Sequence, residues 1–247
     1  MSSRLDGLQQ QWYKITPLHL LLLPVSLLFL LLSATRRLFY RLGLYSRIKL
    51  PVPVIIVGNI TVGGSGKTPL TLWLAQQLIA HGHRPGIISR GFGGSSATPQ
   101  EVLPESSPDS MGDEPVLMAQ RRLCPVWVGR DRPAAGQALL QAHPECDVII
   151  SDDGLQHYRL QRDVEIAVVD GVRRFGNGLL LPAGPLRELP SRLRQVDAIV
   201  TNGGTARSGE FAMQLNGVQF YNLRDPATTA TAHDFNGRRV HAIAGIG

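Results

Sequence analysis

Cysteine is scarce in this sequence. Its 247 residues hold two, Cys124 and Cys146, and they form no C-x-x-C pair. That argues against a cysteine-built metal cluster and suits a reducing compartment, with both thiols as small core or surface residues. Aromatic residues are also few, at 6%. They do not interleave with the basic residues, which argues against a platform for single-stranded nucleic acid. No internal repeat is visible. Acidic residues number 19 against 25 Lys and Arg, giving a net charge of +6 and a pI of about 9.8. Such a balance favours an anionic partner, whether nucleic acid, anionic lipid or a phosphorylated substrate, and alone it selects none. Plain solubility is the competing explanation. An apolar content of 43% over this length supports one sizeable α/β domain or two small ones.

Charge is missing altogether between Ile15 and Thr35, and Leu18 to Leu32 is mostly leucine. The run is about long enough to cross a bilayer core, which takes roughly 20 apolar residues. Pro24 predicts a kink and His19 is polar, so a shallow interfacial helix is also open. Arg36, Arg37, Arg41, Arg47 and Lys49 follow the run, whereas only Arg4 and Lys14 precede it. The positive-inside rule leaves the downstream domain in the cytoplasm, and the same cations suit anionic headgroups. A signal peptide carries most of its cations in front. A core helix apolar on all faces needs a large protein around it. Residues 1–50 are therefore expected to be a hydrophobic membrane anchor with a basic linker, and residues 51–247 the catalytic domain.

Downstream, short apolar runs alternate with helical patterns. Strands are expected at 53–57, 86–89, 126–128, 147–151, 164–169 and 198–200, and helices at 68–80, 114–122 and 133–142. Gly91 to Ser110 reads as a loop, and Gly171 to Pro190 as a long functional or disordered connection. The alternation predicts an α/β fold with a doubly wound, mainly parallel sheet, behind an N-terminal hydrophobic helix. Val240 to Gly247 reads as a buried strand entering a Gly turn. Since domains seldom stop on a core strand, the native protein is expected to continue.

The strongest local signal is Thr61-Val62-Gly63-Gly64-Ser65-Gly66-Lys67-Thr68, set between a strand and a helix. Glycines let backbone amides converge on phosphate oxygens, and the helix N-terminus adds partial positive charge. Lys67 adds a full charge for the β- and γ-phosphates, and the Thr68 hydroxyl suits Mg²⁺. Thr61 replaces the first glycine of the usual pattern, leaving Gly63 and Gly64 to supply the freedom. A P-loop also needs an acid at a neighbouring strand end, and Asp152 fits. Asp153 beside it is expected to point elsewhere, and strand-end turn formation is the plainer explanation for both. Asp113 and Glu114 form a second acidic pair in which Asp113 resembles a helix N-cap; function and capping are equally open there. His157 is a weaker candidate. Arg173, Arg174, Arg187, Arg192 and Arg194 surround Leu179-Leu180-Leu181-Pro182, a pattern suited to an acylated phosphate ester or to a solvated loop.

Taken together, the stretches 52–69, 88–94, 112–121, 151–188 and 242–247 resemble the tetraacyldisaccharide 4'-kinase family. Thr61 is the family's residue at that place. The resemblance implies transfer of the ATP γ-phosphate to the 4'-hydroxyl of a tetraacylated glucosamine disaccharide 1-phosphate, forming lipid IVA at the cytoplasmic face of the inner membrane. It implies that Lys67 and Thr68 serve ATP and Mg²⁺, that Asp113 is the catalytic carboxylate and Glu114 a Mg²⁺ partner, and that Asp152 and Asp153 lie by the sugar or the metal. It also implies a catalytic histidine beyond residue 247. No nucleic-acid partner or obligatory protein partner is expected. One rival is a membrane-associated switch ATPase of the partition type. That class carries a lysine where this chain has Val62. A non-enzymatic adaptor is the other.

Overall fold

The computed structural model describes residues 12, 16–91, 98–217, 220–222, 225 and 228–241. Strand β1 (Val54–Gly58) leads through the glycine loop into helix α2 (Lys67–Ala80), followed by β2 (Pro85–Ser89). Then come β3 (Gln100–Glu101), the short α3 (Pro108–Met111), α4 (Asp113–Gln120), β4 (Val126–Val128) and α5 (Arg132–Ala142). Strands β5 (Val148–Asp152), β6 (Val164–Asp170), β7 (Ala198–Asn202) and β8 (Phe211–Met213) complete an eight-stranded sheet. Its order is β3-β4-β2-β5-β1-β6-β7-β8. Every pairing is parallel except that of the edge strand β3. A two-stranded ribbon, β9 (Phe220–Tyr221) with β10 (Thr229–Ala230), lies apart.

The apolar runs are continuous because both faces of the sheet are covered. Ile56, Ile88, Ile149 and Val169 pack with α5 and the 155–193 segment on one face. Their neighbours Val57, Ile87, Ile150 and Val168 pack with α2 and α4 on the other. The chain leaves β1 towards β2 and later crosses back to β6, so the order reverses at β1. In such sheets ligands bind at the carboxyl ends of the strands beside that reversal.

Helix α1 (Pro17–Arg41) covers 25 residues, about 37 Å of rise. The His19 ring accepts from the Thr16 amide at 2.8 Å, so its polar nitrogen is satisfied within the first turn. The helix does not stand free of the domain. Ser26 Oγ donates to the Leu180 carbonyl at 3.0 Å and accepts from the Ala183 amide at 3.1 Å. Phe29 and Leu30 pack on the core, and Arg37 pairs with Glu188 at 3.2 Å. The opposite face, Leu20, Leu21, Leu27, Leu28, Leu31 and Leu32, is bare, with Leu21 75% exposed.

Several expectations need correction. The 91–110 segment holds β3 and α3 as well as loop. The Leu179–Pro182 loop is not an exposed apolar patch: Leu180 is buried under α1, because Ser26 satisfies its carbonyl there. The cations thought to ring it are mostly engaged by acids, Arg174 with Glu210, Arg187 with Asp153 and Arg192 with Glu165. Val240 and His241 form no strand, and the rest of that stretch, with 92–94 of another matched stretch, lies outside the described residues.

Candidate active site

The loop after β1 is formed by residues whose backbone needs differ. Thr61 pairs with Leu186 in an antiparallel bridge, so it is extended and needs no glycine. The Val62 amide donates to the Pro185 carbonyl at 2.8 Å. The left-handed turns fall later, at Gly63 (φ 101°) and Gly66 (φ 92°). A side chain at Gly66 meets the Asn202 amide as well as a strained backbone. Two asparagines brace the loop from the ends of β1 and β7. Asn59 Nδ2 donates to Ser65 Oγ at 3.0 Å, and Asn202 Nδ2 to the Ser65 carbonyl at 3.2 Å.

Gly63, Gly64 and Lys67 line a cavity of about 710 Å³ at the carboxyl ends of β1 and β5. Asp113, Glu114, Asp152, Asp153 and His157 open onto the same space. Thr61, Val62, Ser65 and Thr68 lie in the loop or the helix start rather than among the residues lining that space. The structure thus gathers both acidic pairs around the lysine.

Asp152 ends β5, opposite Val57 of β1. It is fully buried; Oδ1 accepts from the Thr71 hydroxyl at 3.2 Å and Oδ2 has no partner. Burial, reinforced by the nearby Glu114 carboxylate, pushes its pKa up to about 6 against the pull of Lys67. Asp153 does not point away as expected. It takes a left-handed backbone (φ 48°), which breaks strand alternation and returns its carboxylate to the cavity. There it meets Lys67 Nζ at 3.7 Å and Arg187 Nη1 at 3.0 Å. Burial works to raise this group, but Lys67 and Arg187 together hold it below the usual carboxylate range.

Asp113 is likewise not an N-cap. Gly112 (φ 92°) takes that place, and Asp113 and Glu114 are the first two helical residues of α4, both exposed to the cavity. Negative charge suits a helix N-terminus, and neither carboxylate is tied up in capping. His157 is driven down to about 4 by burial and by the Arg132 charge nearby, with Arg90 and Arg36 adding to it, so its imidazole is neutral near pH 7.

Sequence reasoning missed several neighbours. Arg132 is buried at the start of α5; Nη2 donates to the Asp152 carbonyl at 2.8 Å, while Nε and Nη1 have no partner. Nothing local marks it, since it follows Asp131 like any first-turn residue. Glu188 accepts from Arg37, Gln156 and Tyr158 and lies 3.6 Å from Arg192. Through it α1 is joined to the cavity wall, and Phe29, Ser33, Arg36 and Arg37 of that helix line the cavity.

The donors for a cation are split. Among the described residues no three His, Cys, Asp or Glu side chains converge on a point. An ion there needs phosphate oxygens and water to complete its shell, as Mg²⁺ commonly does. The unpaired Asp152 Oδ2 and the Thr68 hydroxyl fit such a partial donor set.

A glycine loop joining strand to helix at the sheet's reversal, a lysine at its end and carboxylates facing it define the P-loop phosphotransferase class. Comparison with known proteins narrows this. A sequence model of the tetraacyldisaccharide-1-P 4'-kinase (LpxK) family matches residues 18–247. The tetraacyldisaccharide 4'-kinase of Methylobacillus flagellatus is 54% identical over 240 residues, covering 97% of this chain and 72% of that protein. That of Azoarcus sp. strain BH72 is 57% identical over 242 residues, covering 96% and 71%. A crystal structure of LpxK from Aquifex aeolicus in complex with ATP has a TM-score of 0.71 at 35% identity, covering 80% of this chain and 64% of that one. This chain therefore spans about seven-tenths of those curated relatives and under two thirds of the solved chain. The chain belongs to the tetraacyldisaccharide-1-P 4'-kinase family.

Proposed function

We infer that this chain transfers the γ-phosphate of ATP to the 4'-hydroxyl of a tetraacyldisaccharide 1-phosphate, a step of lipid A synthesis. The observation that carries this is the single cavity holding the Lys67 end of the phosphate loop, both acidic pairs and the inner face of an apolar helix. Family membership supplies the acceptor.

Nucleotide phosphates settle on the amides of the 61–68 loop, with Gly66 turning the chain so that they point inward. Lys67 leaves its long ion pair with Asp153 for the phosphate oxygens; Arg187 remains to hold Asp153. Asp113 orients the sugar hydroxyl and takes its proton as the oxygen–phosphorus bond forms and the bond to the β-phosphate oxygen breaks, releasing ADP. Thr68, Asp152 and Glu114 are the residues to hold Mg²⁺, which when bound neutralises charge on the transferred group. Arg132 Nη2, bonded to the Asp152 carbonyl, fixes the strand end that carries both aspartates.

The reading includes membrane attachment through α1, which is long and apolar enough to cross a bilayer. Its docked inner face supports a helix lying in the interface, leucines towards the lipid and the cavity mouth alongside. The cations after the apolar run, Arg36, Arg37, Arg41, Arg47 and Lys49, support the cytoplasmic, anionic face.

The test is to incubate the membrane-associated protein with labelled ATP and tetraacyldisaccharide 1-phosphate. A bisphosphorylated lipid is the expected product. Lys67→Ala is expected to lower turnover by three orders of magnitude or so while membrane binding stays unchanged. Retained turnover removes the role given to Lys67.

A further inference from the structure

Behind the catalytic cavity lies a second one of about 260 Å³, and Arg37 and Tyr158 belong to the walls of both. Five guanidinium groups line it, those of Arg37, Arg41, Arg47, Arg162 and Arg192, against the carboxylates of Asp163, Glu165 and Asp197. These carboxylates are already engaged. Glu165 is held by Arg162 at 2.7 Å and by Arg192 at 2.6 Å. Asp163 accepts from the Val54 amide and Asp197 from the Glu165 amide. Glu188, behind the shared wall, compensates Arg37. Roughly one positive charge is left over. It resides on Arg41 and Arg47, which among the described residues have no carboxylate within ion-pair distance; Arg41 donates only to the neutral Gln195.

The position of this cavity is as informative as its charge. It opens where the apolar face of α1 ends. Leu38, Leu42 and Leu44 are still about half or more exposed there. Phe39, Tyr40 and Tyr45 pack edge-to-face at the same level, and Tyr40 leans on Tyr158 at 6.0 Å. Leucines, then an aromatic cluster, then arginines are the succession met on passing from acyl chains to headgroups.

We propose that the Arg41–Arg47 cavity is a binding site for the phosphodiester headgroup of an anionic phospholipid, separate from the acceptor's place beside Lys67. The charge favours a diester: one negative charge matches the one left uncompensated, whereas a monoester brings nearly two. The proposal rests on the membrane attachment argued above. It adds a particular lipid contact that seats the cavity mouth at the headgroup plane.

The test compares the Arg41→Gln/Arg47→Gln protein with a charge-matched control, Arg121→Gln/Arg194→Gln, whose residues are exposed and lie outside the cavity. Sedimentation with phosphatidylcholine vesicles, alone or containing phosphatidylglycerol, is the readout, and unchanged nucleotide binding reports the fold. Two surface cations at about five- to sixfold each give a loss on the order of 30-fold for the cavity variant on anionic vesicles. The control loses much less, and neither variant changes on neutral vesicles. Equal losses for the two pairs mean diffuse attraction and overturn the site. Unchanged anionic binding with a raised KM for the acceptor gives the cavity to the substrate's own phosphate and also overturns it. So does displacement by inorganic phosphate as effective as by lipid. A wild-type protein that ignores neutral vesicles removes the anchoring reading instead, and one that binds them but transfers no phosphate removes the kinase reading alone.

Discussion

Asp152 and Asp153 are chemically alike and adjacent, yet their surroundings drive their protonation in opposite directions. Asp153 faces two cations and stays ionised. The Asp152 carboxylate has no cation in direct contact and is sealed from water, so its proton is held up to about pH 6. The folded-state pKa lies above the ordinary value of 3.8, so the folded protein binds this proton more tightly than the unfolded chain does. Ionising Asp152 therefore costs stability that is fully present below pH 4 and is lost as pH rises through 6. Replacing it by the neutral isostere should remove the cost. Asp152→Asn is expected to stabilise the ligand-free protein by about 2–3 kcal/mol at pH 8, with the gain roughly halved at pH 5, while turnover is lost. Thermal melts at the two pH values check this, and an equal gain at both contradicts it.

At the scale of elements, the decisive contact is between α1 and the 179–188 segment. Ser26 bridges the helix to that segment, whose next residues pair with Thr61 and Val62 of the phosphate loop. Helix α1, the loop under it and the phosphate loop thus form one connected stack. Ser26→Ala removes only the hydroxyl and leaves the Leu180 carbonyl and the Ala183 amide unpaired in a buried place. Each such loss costs about 1–3 kcal/mol. The expected result is a lower melting temperature and reduced kcat, because Phe29 and Arg37 no longer hold the cavity wall, with vesicle binding unchanged. Wild-type kcat in a measurably destabilised variant would separate the helix from catalysis.

For the whole molecule, one flank of the cavity is built from the apolar helix α1, whose outer leucines are bare. With α1 on the bilayer as proposed, acceptor and cavity mouth share a surface, and encounter is two-dimensional. Turnover is expected to follow the mole fraction of acceptor in the vesicle rather than its bulk concentration. Diluting the acceptor with neutral lipid at constant total acceptor should lower the rate, and an unchanged rate argues for capture from solution. The basic charge of the chain has a matching distribution, since Arg36, Arg37, Arg41, Arg47 and Lys49 cluster at one end of α1.

The strand and helix alternation, the phosphate loop and the apolar segment could be read from the sequence because each is a local pattern. A run of buried β residues, a glycine spacing and a charge-free stretch depend only on near neighbours. The placement of Asp113 and Glu114 beside Asp152 was not readable in that way, since it joins α4 to β5 across the sheet. Nor was the return of Asp153 to the cavity, which turns on one left-handed backbone angle. Arg132 gives no local signal, and its role follows from being buried with one carbonyl in reach. Glu188 and Arg37, 151 positions apart, meet only once α1 lies on the domain. The sequence by itself determined which chemical groups exist and which segments fold locally. Only the tertiary structure decided which groups face one another, because burial and charge pairing are properties of space and not of order along the chain.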